Sequence, residues 1–136
     1  MPDDTITVDN VSKELLKNLF DAAFMDSSFD KDGDLRVDER VKCWVYVYPD
    51  MRKIKLAAYF GFKPGTSEIE ALRCVNNINK DFNIVRASVL NNDALEFSYD
   101  IALDGGLLKR SFIQLVKRFC NIPHEAVHEY GREIVA

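Results

Sequence analysis

Hydrophobic and polar positions alternate most regularly between residues 41 and 60. Two stretches with a period of two residues flank a Pro49-Asp50 step, and this arrangement predicts a β-hairpin. With a turn centred on Asp50 and Met51, the predicted pairs on one face are Val47 with Ile54, Val45 with Leu56, Cys43 with Ala58 and Val41 with Phe60. This face is purely apolar, so we assign it to the core.

The opposite face of the hairpin combines aromatic and basic side chains. Its candidate binding residues are Trp44, Tyr46, Tyr48, Lys53 and Lys55, which we call the aromatic–lysine face. Three interpretations remain open: an exposed sheet face with lysine stems on rings, a protein interface, or a platform for single-stranded nucleic acid. The net charge of −4 weighs against nucleic acid, because phosphate binding needs clustered positive charge.

Helical spacing of apolar residues occurs in three longer segments. The first segment follows a predicted N-cap at Asp9 or Asn10, and the second segment follows a predicted N-cap at Thr66 or Ser67. The third segment follows the turn Asp104-Gly105-Gly106. The main predicted stripes are Val11, Leu15, Leu16, Leu19, Phe20, Ala23 and Phe24; then Ile69, Leu72, Val75 and Ile78; then Leu108, Phe112, Leu115, Val116 and Phe119. A last short helix starts at Pro123 and ends near Tyr130.

Three further strands complete the pattern. Residues 35–37 alternate briefly after an acidic loop that ends at Asp34, and residues 84–90 and 94–101 form a second hairpin. A three-residue loop, Asn91-Asn92-Asp93, sets Val89 opposite Leu95, whereas a two-residue loop would set an apolar residue opposite a glutamate. The order α-β-β-β-α-β-β-α predicts an α+β fold, a five-stranded antiparallel sheet with helices on one face.

Length and composition indicate one cytoplasmic domain. The 136 residues fit a single domain, with a core at about 10–122, a flexible tail at 1–9 and a short C-terminal helix within 123–136. The three cysteines (Cys43, Cys74 and Cys120) occupy apolar positions, which is typical of free thiols in a reducing compartment. The first residues lack a secretory signal pattern, and no apolar stretch reaches the ~20 residues needed to cross a bilayer. We expect no membrane partner.

Two motifs suggest metal chemistry. His124, Glu125 and His128 form HExxH, the spacing by which zincins bind zinc and activate water. The third ligand position of the longer pattern is Ile134, and the sequence has two histidines in all, so a zinc-dependent hydrolase is the weaker alternative. We predict no catalytic or metal-binding residues, no cofactor, and no enzymatic activity.

The acidic segment 28–39 resembles a calcium loop that starts at Ser28 and ends at Glu39. Ser28 lacks the carboxylate that the first position of a calcium loop supplies. The segment that begins at Val41 alternates as a strand, whereas an EF-hand needs a helix there. We therefore expect a solvated turn rather than a calcium site.

With these elements in place, the chain resembles the YbjN family of bacterial proteins, sometimes labelled bacterial sensory transduction regulators. The resemblance covers roughly residues 10–122. It rests on Asp32-Gly33-Asp34, Ala57-Ala58-Tyr59-Phe60, Val75-Asn76-Asn77-Ile78-Asn79, Asn92-Asp93-Ala94-Leu95 and Gly105-Gly106-Leu107-Leu108. It implies a type III secretion chaperone-like fold, with three helices against five antiparallel strands and no known enzymatic activity, and it carries over no catalytic residues.

The sequence thus predicts a non-catalytic protein-interaction domain, a regulator or a chaperone-like adaptor of the YbjN type. We expect its partner to be another protein that binds the aromatic–lysine face or a groove beside the second helix. A second copy of the chain is a candidate for the groove, because the apolar stripe of this helix is wide. The alternatives are a single-stranded nucleic-acid-binding module and the zinc-dependent hydrolase.

Overall fold

The computed structural model describes residues 4–91 and 93–136 and has an α+β architecture. Its strands are β1 (Thr5–Ile6), β2 (Asp26–Phe29), β3 (Leu35–Asp38), β4 (Lys42–Tyr48), β5 (Lys53–Gly61), β6 (Arg86–Leu90), β7 (Ala94–Ala102) and β8 (Leu107–Leu108). Its helices are α1 (Lys13–Ala22), α2 (Glu68–Asp81), α3 (Lys109–Cys120) and α4 (Ile122–Tyr130). In the described part of the chain, every helix is too short or too polar to span a bilayer.

The main sheet contains six antiparallel strands in the order β2-β3-β4-β5-β7-β6, and β1 pairs with β8 in a separate two-stranded sheet. The prediction of five strands was therefore wrong in number. The additional strand β2 occupies the start of the predicted acidic loop, where Ser28 pairs with Arg36 of β3. An edge strand needs only one partner, and Asp-Ser-Ser-Phe carries no regular apolar alternation that would reveal it.

The pairing of β4 with β5 confirms the predicted hairpin. Val45 lies opposite Leu56 and Val47 opposite Ile54, and the chain reverses through a short 3-10 turn at Pro49–Met51. Arg52 then adopts a left-handed conformation with φ of 55° before β5 begins.

The second hairpin also has the predicted register. Val89 of β6 lies opposite Leu95 of β7, and Ala87 lies opposite Phe97. Asn92, in the predicted three-residue loop, lies outside the described residues. The first strand begins at Arg86 rather than at residue 84, since Ile84 takes a positive φ of 63° that a strand does not accommodate.

The helices cover one face of the main sheet, which we call the inner face. Buried side chains of this face are Leu35, Val37, Cys43, Val45, Ile54, Leu56, Ala58, Ala87, Leu95 and Phe97. Phe20 of α1 contacts Phe112 of α3 with ring centroids 5.6 Å apart, and both rings are fully buried in the same core. The three cysteines are buried free thiols.

Serine residues cap the first two helices. Ser12 accepts a hydrogen bond from the backbone N–H of Leu15, so α1 begins after Ser12 and not after Asp9 or Asn10 as predicted. Asn10 is engaged elsewhere, because its side chain accepts from the N–H of Thr7 and donates to the carbonyl of Thr5. For α2 the predicted cap at Ser67 is observed, in a reciprocal capping box with Glu70.

The start of the chain contributes a strand where the sequence suggested a tail. Thr5 pairs with Leu108 and Ile6 with Leu107, and Ile6 is fully buried. Because Leu107 and Leu108 form β8, the third helix begins at Lys109 rather than directly after Gly106.

Four residues of the predicted apolar stripes are exposed, and one of them, Leu108, lies on β8 rather than in the third helix. Phe24 lies beyond the end of α1 with a positive φ of 59° and is 97% exposed. On α2, Ile69 and Leu72 are 60% and 48% exposed, whereas Ala71, Cys74, Val75 and Ile78 are buried. The stripe of α2 is thus wider than the surface against which the helix packs.

Candidate functional site

The aromatic–lysine face lies on the side of the main sheet opposite the helices, which we call the outer face. The strand register places Trp44 opposite Ala57, Tyr46 opposite Lys55, and Tyr48 opposite Lys53, as the alternation predicted. The structure therefore brings the five candidate residues together on two neighbouring strands.

The rings of the outer face contact one another. The Trp44 and Tyr59 rings meet edge to face with centroids 5.5 Å apart, and those of Tyr46 and Tyr48 are 6.4 Å apart. The hydroxyls of Tyr46 and Tyr59 share a hydrogen bond of 3.2 Å. Sequence reasoning missed Tyr59 as a member of this face. The signal was present, because Tyr59 follows Lys53 and Lys55 in the same period-two series.

Acidic side chains of β7 neutralise the lysines of the outer face. The ammonium nitrogen of Lys55 lies 3.2 Å from a carboxylate oxygen of Glu96, and that of Lys53 lies 3.4 Å from Asp100. Arg86 of β6 adds a second cation 3.6 Å from Asp100. Glu96 also accepts a hydrogen bond from the Ser88 hydroxyl. These lysines therefore have carboxylate partners within the protein.

The pair formed by Lys55 and Glu96 covers two small residues of the outer face. Ala57 and Ser98 lie opposite each other in the register. On the outer face, the next pair on one side contains Lys55, and the next pair on the other side contains Glu96. Both small side chains are fully buried although no helix covers this face. The ion pair between Lys55 and Glu96 therefore spans the row of Ala57 and Ser98 and shields these two small side chains from solvent.

Asp30, in the turn between β2 and β3, anchors the indole of Trp44. The indole N–H donates to one carboxylate oxygen at 3.1 Å, and the other oxygen accepts the backbone N–H groups of Asp32 and Asp34, each at 2.9 Å. The hydrogen bond from the N–H of Asp34, followed by that from Trp44, holds the pKa of Asp30 below its ordinary value. Burial raises the pKa of Tyr46 and of Tyr59 above the ordinary value of a phenol.

The histidines of the HExxH motif have separate partners. The Nε2 atom of His124 donates to the carbonyl oxygen of Arg40 at 2.6 Å, and Nε2 of His128 accepts from Arg132 at 3.2 Å. Among residues 4–91 and 93–136, no group of three or more His, Cys, Asp and Glu side chains is arranged to hold a metal ion. The predicted calcium-like segment forms the β2–β3 hairpin, in which both oxygens of Asp30 are occupied by donors of the protein.

A groove of about 440 Å³ runs beside the second helix, between α2 and the C-terminal segment. Its lining includes Arg73, Cys74, Asn77, His128, Tyr130 and Ile134. The Tyr130 hydroxyl donates to Asp81 and links α4 to the end of α2. The exposed Ile69 and Leu72 lie on a neighbouring surface of α2 with Asn76.

Comparisons with known proteins identify the family. A family model described as "YbjN: Putative bacterial sensory transduction regulator" matches residues 7–129. A search of curated proteins finds no match to the chain. Solved structures with similar folds include E. coli YbjN, described as a putative transcription regulator, with 13% identity, a TM-score of 0.76, and coverage of 93% of this chain and 96% of that one.

Two other structures align over most of their length. An uncharacterized protein from Methanothermobacter thermautotrophicus has 14% identity, a TM-score of 0.63, and coverage of 90% of this chain and 99% of that one. The Yersinia pestis type III secretion chaperone SycH, in complex with a fragment of YscM2, has 10% identity, a TM-score of 0.49, and coverage of 81% and 98%. The family model spans most of the sequence, and the chain belongs to the YbjN family.

Proposed function

We propose that the protein is a non-catalytic interaction domain, a regulator or chaperone-like adaptor of the YbjN type, which binds another protein through the outer face of its main sheet. The observation that carries this proposal is the group of four contacting rings, Trp44, Tyr46, Tyr48 and Tyr59, on the face that the helices leave uncovered. Aromatic side chains of this kind supply much of the binding energy at protein interfaces.

The rings are held in place before any partner arrives. Trp44 is fixed by its hydrogen bond to Asp30 and its contact with Tyr59, while Tyr46 shares a hydrogen bond with Tyr59. Side chains that are already ordered lose little conformational entropy on binding, so more of the contact energy contributes to affinity. Tyr48 and Tyr59 are 38% and 37% exposed and offer the rings most accessible to a partner.

The charge pattern favours a protein over a nucleic acid. A nucleic-acid platform needs lysines that are free to neutralise phosphates, whereas Lys53 and Lys55 already face Asp100 and Glu96. A phosphate backbone would also approach these two carboxylates. We assign this interaction to the cytoplasm, where the buried thiols of the protein stay reduced.

Photo-crosslinking in the native cell tests the proposal. A benzoylphenylalanine in place of Tyr48 should yield crosslinked products of defined mass with a partner protein, identified by mass spectrometry. The matched control carries the same photoreactive residue in place of Leu108, which is 50% exposed on β8 and away from the outer face. Products of equal yield from both positions, or from the control alone, would contradict the proposal.

A second copy of the chain is the second candidate partner, at the exposed part of α2. The specific observation is that Ile69 and Leu72, two large apolar side chains of one helix, are 60% and 48% exposed on one surface. Light scattering should show a dimer that becomes a monomer in Leu72→Glu but persists in Leu108→Glu. A monomer at all concentrations of the parent protein would exclude this contact.

A further inference from the structure

The two edges of the main sheet differ in how their backbone groups are satisfied. At one edge, the side chain of Asn79 on α2 accepts from the N–H of Ala87 at 2.8 Å and donates to its carbonyl at 3.0 Å. This amide takes the place of a neighbouring strand at the middle of β6. The helix thus closes the β6 edge at the position where an added strand would bond.

The other edge, formed by β2, is open. The N–H of Asp30 donates to the carbonyl of Asp34 at 2.9 Å, which marks that pair as hydrogen bonded. Bonded and non-bonded pairs alternate in an antiparallel ladder, so Asp26 and Ser28 bond to β3 while Ser27 and Phe29 direct their N–H and C=O groups away from the sheet. Among the described residues, β3 is the one strand that pairs with β2, so the outward backbone groups of Ser27 and Phe29 face no further strand.

The β2–β3 hairpin, which carries the open edge, is strongly acidic. Residues 26–39 contain six carboxylates and two basic side chains, a net charge of −4 that equals that of the whole chain. In the register, Asp26 lies directly opposite Asp38, so two like charges share one face of the hairpin. Arg36 lies 3.3 Å from Asp38 and offsets part of this repulsion, whereas Asp26 has no cation partner among the described residues. A cation placed beside Asp26 would relieve the rest.

Exposed aromatic rings lie at both ends of this edge. Phe29 is 40% exposed at the turn end of β2, and Phe24 is 97% exposed just before the strand begins. An added strand that covered these rings would bury apolar surface in addition to forming backbone hydrogen bonds.

We propose that the β2 edge docks an extended segment of a partner protein rich in lysine or arginine, which joins the main sheet as a seventh strand. The basic side chains face Asp26, and apolar side chains on the alternate positions contact Phe29. A second copy of this chain does not fit, because pairing β2 with β2 would bring two acidic edges together. This surface is separate from the aromatic–lysine face, so the inference goes beyond the proposed function and does not depend on it.

Amide hydrogen exchange measured by NMR tests the docking. The probe is a soluble peptide of alternating lysine and valine, and the control peptide has glutamate in place of lysine. At saturating lysine peptide, exchange at Ser27 and Phe29 should slow by about tenfold, while Val89 on the β6 edge stays unchanged. Protection at Val89, equal binding of the two peptides, or no protection at Ser27 and Phe29 would overturn the proposal.

Two variants make the test specific to the edge. Ser27→Pro removes a backbone N–H that points away from the sheet and leaves the hydrogen bonds to β3 in place, so it should abolish peptide binding. The matched variant Val89→Pro makes the same change at the corresponding position of β6 and should leave peptide binding intact. Asp26→Lys should weaken binding of the lysine peptide, because it places a positive charge where the basic side chains would lie. If Ser27→Pro binds as the parent does, the edge is not the docking site. If, without peptide, the protection of the Ser27 amide from exchange rises with protein concentration, two copies of the chain pair through β2 and the proposal is overturned.

Discussion

The inner and outer faces of the main sheet are built from alternate residues of the same strands, yet they are held together differently. On β4 and β5, Val45 and Leu56 contribute to a fully buried apolar core, whereas Tyr46 and Lys55 lie on a face without a helical cover. The inner face is stabilised by packing, and the outer face by individual polar partners such as Glu96 and Asp30. The cost of a substitution on the outer face should therefore depend on whether the replaced side chain has such a polar partner.

The largest expected effect comes from removing a large side chain of the inner face. Phe97 is fully buried and meets the ring of Phe60 edge to face at 5.7 Å. We expect Phe97→Ala to lower the free energy of unfolding by about 3–5 kcal/mol, because it removes apolar burial and leaves a cavity. Urea denaturation measures the loss.

The matched control for this prediction is Tyr48→Ala, which truncates an aromatic ring of the outer face. We expect a change within about 1 kcal/mol, as for most partly exposed surface positions. Equal losses for the two variants would show that the outer rings are part of the core, and the contrast between the faces would fail.

An intermediate effect is expected for the best-buried ion pair of the outer face. Lys55→Met leaves the carboxylate of Glu96, which is 7% exposed, without its cation. We expect a loss of about 1–3 kcal/mol in the free energy of unfolding, since a nearly buried charge loses its charged hydrogen-bond partner.

Lys53→Met is the matched control for Lys55→Met. Asp100 is more exposed than Glu96 and keeps Arg86 as a second cation, so this change should lower stability by about 0–1 kcal/mol. A larger loss for Lys53→Met than for Lys55→Met would contradict the assignment of Glu96 as the critical acid. The double variant Lys55→Met with Glu96→Leu should recover part of the loss.

The contrast between the faces also explains what the sequence could predict. The alternation of residues 41–60 identified both faces of the β4–β5 hairpin, because a shift by one residue would move every apolar side chain to solvent. It could not identify Glu96 as the partner of Lys55. That contact depends on β7 lying next to β5, and strand order is a property of the whole sheet rather than of a local pattern.

The elements that the sequence missed are short or lie at an edge. β1 and β8 contain two residues each, too few to show a period, and the four residues of β2 include two serines and one aspartate. The helical stripe of α2 was assigned correctly at Val75 and Ile78 but included Ile69, because spacing shows which residues share a face and not how far the neighbouring surface extends.

A smaller effect is expected from the hydrogen bond that fixes the indole on the outer face. Trp44→Phe keeps an aromatic ring beside Tyr59 but removes the donor to Asp30. We expect a loss of about 0.5–1.5 kcal/mol in the free energy of unfolding, the usual contribution of one hydrogen bond. Tyr48→Phe is the control, since the Tyr48 hydroxyl has no hydrogen-bond partner among the described residues, and it should leave stability unchanged. A loss in the control but not in Trp44→Phe would contradict this role of Asp30.

The smallest expected effect is the acid response of the same contact. Because the N–H of Asp34 and the indole of Trp44 hold the folded-state pKa of Asp30 below its ordinary value, ionised Asp30 stabilises the fold above the unfolded pKa of about 3.9. This contribution is lost as pH falls through the folded pKa. Trp44 is the single tryptophan of the chain, so its fluorescence should change with a midpoint below pH ~3.9, before the circular dichroism of the fold is lost. Asp30→Asn should abolish this change. A midpoint at or above the ordinary pKa, or a midpoint that persists in Asp30→Asn, would show that Asp30 does not hold the indole on the outer face.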